Sequence, residues 1–105
     1  MIRHIVFFSA KEPADLERIE AGLKPLERIA AASRLEVRRS LACDQLGNDI
    51  QIVVYGEFAD LAALEAYKAD PLYAEAIRVV RPLRELRFAA DILADGGLMD
   101  GGGDG

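Results

Sequence analysis

The run IRHIVFFSA, Ile2 to Ala10, is rich in β-branched and aromatic residues and too short to be a helix on its own. Side chains alternate along a strand, so Ile2, His4, Val6 and Phe8 share one face while Arg3, Ile5, Phe7 and Ser9 share the other. Both faces are largely apolar. QIVVYGEF, Gln51 to Phe58, has the same character, with Ile52, Val54 and Phe58 on one side and Val53 and Tyr55 on the other. Strands apolar on both faces belong to a sheet that is covered on both faces.

Working outward, Pro13–Ala30 reads as a helix, because Leu16, Ile19, Leu23, Leu26 and Ile29 recur at three- and four-residue steps opposite a charged face. Pro13 suits its first turn, and Pro25 within the pattern predicts a kink rather than two helices. RLEVRRSLA, Arg34 to Ala42, alternates Leu35, Val37 and Leu41 against Glu36, Arg38 and Ser40, the pattern of a half-exposed edge strand. DQLGND then supplies a turn into the next strand. Asp60 is placed to cap a short helix holding Leu61, Leu64 and Tyr67. Asp70-Pro71 ends that helix and restarts the chain as N-cap and first helical residue of another. ELRFAADIL, Glu85 to Leu93, closes as a strand.

The order is βαββαβ with the second helix broken. It predicts an α+β fold, a ferredoxin-like plait whose four-stranded antiparallel sheet carries its helices on one face. The other face is apolar and bare, and homodimerisation, sheet against sheet, is the simplest way to cover it.

Composition bounds the rest. Hydrophobic residues make up 51% of the 105, high for a chain this small, which fits a full core or a second buried surface. The domain is expected to occupy residues 1–94. The stretch 95–105, DGGLMDGGGDG, is expected to be a disordered Gly/Asp-rich tail, since it has little apolar surface to bury. Its three aspartates account for three of the five net negative charges, so the folded body is close to neutral and poor footing for nucleic acid. No apolar run approaches the ~18 residues of a membrane span, and no signal peptide precedes the first strand. Cys43 has no partner for an intrachain disulfide, which makes the cytoplasm the default compartment. One histidine and one cysteine do not supply a zinc site, the glycines form no phosphate loop, and no cofactor is expected.

IRHIVFFS, VVYGEFADLAALEAYKADPLY, RPL and FAADI, in that order and spacing, resemble the stress-responsive A/B barrel domain (Dabb) family over residues 2 to about 93. The resemblance implies a dimeric α+β barrel built from two ferredoxin-like sheets. A plant cyclase of the family closes a polyketide ring without metal or organic cofactor, using a tyrosine and a histidine six residues apart around the helix break. Its tyrosine corresponds to Tyr67 and the family's N-terminal strand histidine to His4. The cyclase's histidine corresponds to Tyr73, and the first histidine of its signature to Asp70. The phenol at Tyr73, with a reference pKa of about 10, is a poor base at neutral pH. Related dimeric barrels include haem-degrading monooxygenases with a helical histidine, whereas the histidine here lies on a strand, which argues against haem.

Two classes of function follow. In the first, a cytoplasmic homodimer binds a small apolar or aromatic molecule between sheet and helices. Phe8, Leu23, Leu26, Ile52, Val54 and Tyr73 would form the ligand pocket, and His4 and Tyr67 its polar and candidate catalytic groups. In the second, a non-catalytic stress-responsive or structural dimer has a filled interior, with His4, Tyr67 and Tyr73 as core residues. Enzymatic activity is left open. Arg78, Arg81, Arg84 and Arg87 recur every three residues; such a stripe clamps a carboxylate or phosphate in some proteins and is a solvated face in most. The solvated face is expected here, with Asp91 engaged by backbone or arginine donors.

Overall fold

A computed structural model describes residues 1–94; the Gly/Asp-rich stretch expected to be a disordered tail lies outside the described residues. Four strands, β1 (Ile2–Ala10), β2 (Arg34–Arg39), β3 (Ile52–Phe58) and β4 (Arg84–Leu93), pair antiparallel in the order β2-β3-β1-β4. This is the ferredoxin-like α+β plait predicted from the element order. The described residues also hold three α-helices, α1 (Leu16–Leu23), α2 (Leu61–Ala69) and α3 (Pro71–Val80).

β1 is central, and its alternation separates the two sides of the sheet. Ile2, His4, Val6 and Phe8 are buried toward the helices, whereas Phe7 on the opposite face is 37% exposed. β3 repeats the pattern, with Ile52, Val54 and Phe58 buried against Ile19, Leu23, Leu26, Leu64 and Val80 of the helical layer. The far face carries Ile5, Phe7, Val53 and Tyr55, joined on β4 by the exposed Phe88 and Ile92. No helix of the described residues is long and apolar enough to cross a membrane.

The long first helix is shorter than its apolar period. Pro13–Asp15 form a 3-10 turn, α1 ends at Leu23, and Lys24–Arg28 continue as 3-10 helix. Pro25 has no N–H to donate and crowds the preceding turn, so the backbone tightens instead of continuing as α-helix. Leu26 and Ile29 nevertheless stay buried, which is why the apolar phase ran unbroken through the sequence. Gly22 lets α1 approach α3 closely, since a Cβ there would lie 2.8 Å from Val79 Cγ1. β2 is an edge strand as expected but stops at Arg39, leaving Leu41 88% exposed rather than on its inner face.

The helix break is built as its sequence indicates. Asp60 caps α2 by accepting from the Ala63 N–H at 2.9 Å. Asp70 leaves the helical region at ψ 139°, ends α2, and caps α3 by accepting from the Leu72 N–H at 2.8 Å, with Pro71 next in line. One residue thus sets the angle between the helices that carry Tyr67 and Tyr73. Asp70→Ala should lower the unfolding free energy by about 1 kcal/mol, the usual worth of an N-cap. Urea unfolding of the two proteins side by side checks this, and an unchanged midpoint would contradict the role given to the cap.

Candidate functional site

The helical layer covers β2, β3 and β1 but not β4, whose helix-side residues Ala89, Asp91 and Leu93 remain exposed. Beside that gap lies a cavity of about 220 Å³. β1 supplies His4, Val6 and Phe8 to its walls, β3 supplies Val54, the end of α1 supplies Leu23, and the 3-10 segment after it supplies Leu26. α2 contributes Tyr67, and α3 contributes Tyr73, Ala76, Ile77 and Val80. Arg81, Arg84 and Arg87 complete the lining.

His4 is 2% exposed, and its Nδ1 lies 2.5 Å from Asp91 Oδ1. The two residues face each other across the β1–β4 pair. A carboxylate only accepts, so Nδ1 carries the proton and donates it to Asp91, which leaves Nε2 as the free ring nitrogen. The imidazole is further fixed by edge-on rings, Phe58 at 6.2 Å and Tyr67 at 6.1 Å between centroids. Tyr67 in turn meets Phe58 at a tilt, with 5.0 Å between centroids, and Tyr73 edge-on at 5.2 Å. Burial, reinforced by Tyr73 and opposed by the Arg87 guanidinium, pushes the Tyr67 phenol well above its usual value. At neutral pH it is a hydrogen-bond donor and not a base.

Of the residues singled out from sequence, His4, Tyr67, Phe8, Leu23, Leu26, Val54 and Tyr73 meet around this one cavity. Ile52 does not; it is fully buried in the core, paired with Phe8 and Arg39 in neighbouring strands. Asp91, expected to engage backbone or arginine donors, instead pairs with His4, because that pairing follows from strand register rather than from any spacing in the chain. The arginine stripe divides. Arg78 pairs with Glu75 as a solvated face would, whereas Arg81, Arg84 and Arg87 turn to the cavity because the chain passes there from α3 into β4. Among the described residues no group of three His, Cys, Asp or Glu side chains is placed to hold a metal ion.

The profile of the Stress responsive A/B Barrel Domain, Dabb, matches residues 2–94. The chain belongs to the Dabb family. Among solved structures, a Dabb protein with a ferredoxin-like fold from Mesorhizobium loti is 26% identical, with a TM-score of 0.73 over 90% of this chain and 97% of that one. A dimeric ferredoxin-like protein of unknown function from Thermobifida fusca is 20% identical, with a TM-score of 0.74 over 89% and 90% of the two chains. An antibiotic biosynthesis monooxygenase superposes with a TM-score of 0.71 over 91% of this chain and all of its own, at 14% identity, which shows a shared fold alone. No curated protein matches in sequence.

The environment of Tyr67 in this Dabb domain has a consequence for alkaline stability. Its phenol is raised in the folded state, while in the unfolded chain it ionises near ~10. The associated stability is therefore fully present below that pH and is lost as pH rises beyond it toward the folded value. Stability should fall more steeply between about pH 9 and about pH 11 in the native protein than in Tyr67→Phe. Urea unfolding at the two pH values measures this, and equal slopes would place Tyr67 in a wetter environment than described.

Proposed function

We propose that this Dabb protein is a homodimer, each subunit of which binds one small apolar or aromatic molecule in the cavity between sheet and helices. There His4 and Tyr67 carry out cofactor-free proton transfer. The observation that carries this reading is the His4–Asp91 hydrogen bond at the wall of an apolar cavity that Tyr67 also lines. An oriented imidazole with a carboxylate behind it is the usual arrangement of a general base.

The chemistry is stated for a carbon acid next to a carbonyl. Nε2 of His4 takes the proton as the C–H bond breaks, and the electron pair moves into the carbonyl as an enolate. The Tyr67 hydroxyl donates a hydrogen bond to the enolate oxygen, and Asp91 stabilises the imidazolium that forms. Attack of the enolate carbon on a second carbonyl would close a ring as that C=O π bond breaks, and the alkoxide so formed would take back the proton from the His4 imidazolium, the reaction type of the plant cyclase to which the sequence bears resemblance. Tyr73 takes the place of that cyclase's histidine without its role, which in this reading passes to His4. The volume favours a modest ligand: a cavity of about 150 Å³ takes benzene, so 220 Å³ suits one ring with short substituents. That void is also what speaks against a structural dimer with a filled interior.

The dimer reading rests on the bare apolar sheet face and on a dimeric neighbour of the same fold. Ile5, Phe7, Val53 and Tyr55 lie at its centre. Obligate interfaces of this type bury on the order of 2,000 Å² or more. Phe7→Glu should give monomers or unfolded chains, because it would bury an unpaired charge. Sedimentation at micromolar concentration is the measurement, and a native monomer would refute the assembly.

For the chemistry, the probe is benzoylacetone, whose C–H bonds between two carbonyls exchange deuterium by the same first step. His4→Gln should slow protein-catalysed exchange about 100-fold or more, and Tyr67→Phe should slow it less. Exchange at the buffer rate with the native protein, or unchanged in His4→Gln, would remove the proton-transfer role.

A further inference from the structure

Among the described residues the three arginines of the cavity pair with no carboxylate. Among the described residues Arg18, Arg34, Arg38, Arg39 and Arg78 each pair with a carboxylate. Arg81, Arg84 and Arg87 pair with none, and neither do Arg3 and Arg28, which stand away from the cavity. The nearby carboxylate of Asp91 is taken by His4. Like charges collected without an anion repel one another, and Arg84 shows it: partial burial, then Arg87 and Arg81, lower its pKa from the usual range.

A solvated stripe would spread its charges outward, as Arg78 does toward Glu75. Instead, the end of α3 and the start of β4 bring three arginines, Arg84 half-buried and the other two exposed, to the lining of one apolar chamber. The Tyr67 and Tyr73 rings and His4 line the same chamber. A chamber with apolar walls and a cationic side is complementary to a molecule that is apolar at one end and anionic at the other. Guanidinium forks match both carboxylate and phosphate oxygens.

We propose that Arg81, Arg84 and Arg87 form an anion clamp, so that the molecule taken by this cavity is a single-ring organic anion. The carboxylate or phosphate lies among the arginines and the ring lies against Val6, Phe8 and Tyr67. The proposal rests on the reading of this cavity as the ligand site and adds the charge of its occupant.

The test uses three probes of nearly equal shape, 4-ethylbenzoate, 4-ethylphenyl phosphate and the neutral 4-ethylbenzamide. Their binding to the full chain at neutral pH is followed by calorimetry and by the NMR signals of His4 and Tyr67. At least one anion should bind about tenfold or more tightly than the amide, the usual advantage of charge-assisted bonds. Added salt should weaken the anion and not the amide. Arg84→Gln and Arg87→Gln should each remove most of that advantage, weakening anion binding far more than amide binding; these side chains are not core residues, and melting curves verify the fold. The stronger anion identifies the headgroup. If the amide binds as well as both anions, the clamp is refuted while the cavity reading stands. If no probe binds or moves the His4 and Tyr67 signals, the cavity reading fails and the clamp falls with it.

Discussion

The strand β1 is the constraint on which the rest depends. It is central in the sheet, hydrogen-bonded to β3 on one side and β4 on the other, and every second residue faces the helices. A shift of one residue in its register would turn Ile2, His4, Val6 and Phe8 to the bare face and bring Arg3 inside. The same alternation fixes two further features. It places His4 opposite Asp91, and it leaves Ile5 and Phe7 on the side that the helices never reach.

The cavity exists because the helical layer is narrower than the sheet. α1 and α3 pack closely at Gly22 and cover the core over β1 and β3, while β4 projects beyond them. Interiors of proteins are otherwise close-packed, so a void of about 220 Å³ beside buried aromatic rings is a local departure from the rule. The Asp70-Pro71 break contributes to it, since an unbroken helix would not bring Tyr67 and Tyr73 edge to face. Two short capped helices replace one long helix, and the bend between them shapes the cavity wall.

Charge and burial differ along the cavity lining. His4 and Tyr67 are deeply buried, and burial holds the phenol neutral. The arginines stand where α3 ends and β4 begins, Arg84 half-buried and Arg81 and Arg87 exposed. The imidazole is tied to Asp91 rather than to the arginine cluster. In the proposed reading, the arginines orient a ligand and His4 reacts with it.

The sequence by itself determined the elements, their order and the faces they present. Alternation in Ile2–Ala10 and Ile52–Phe58, the three- and four-residue steps before Ile29 and the Asp70-Pro71 punctuation are local signals of backbone preference, legible without a partner. Tyr67 and His4 were recognisable as candidates by residue type and by family resemblance. The tertiary structure decided what those candidates touch. The Nδ1 of His4 is held by a residue 87 positions away, through a strand register that no local spacing encodes. Ile52 has the right face and hydrophobicity for a cavity wall, yet it lies in the closed part of the core, because wall and core differ only in where the neighbouring helices stop. The arginines read as a surface stripe because a period of three says nothing about the turn from α3 into β4. That turn points three of them at one cavity, and it is a property of packing rather than of propensity.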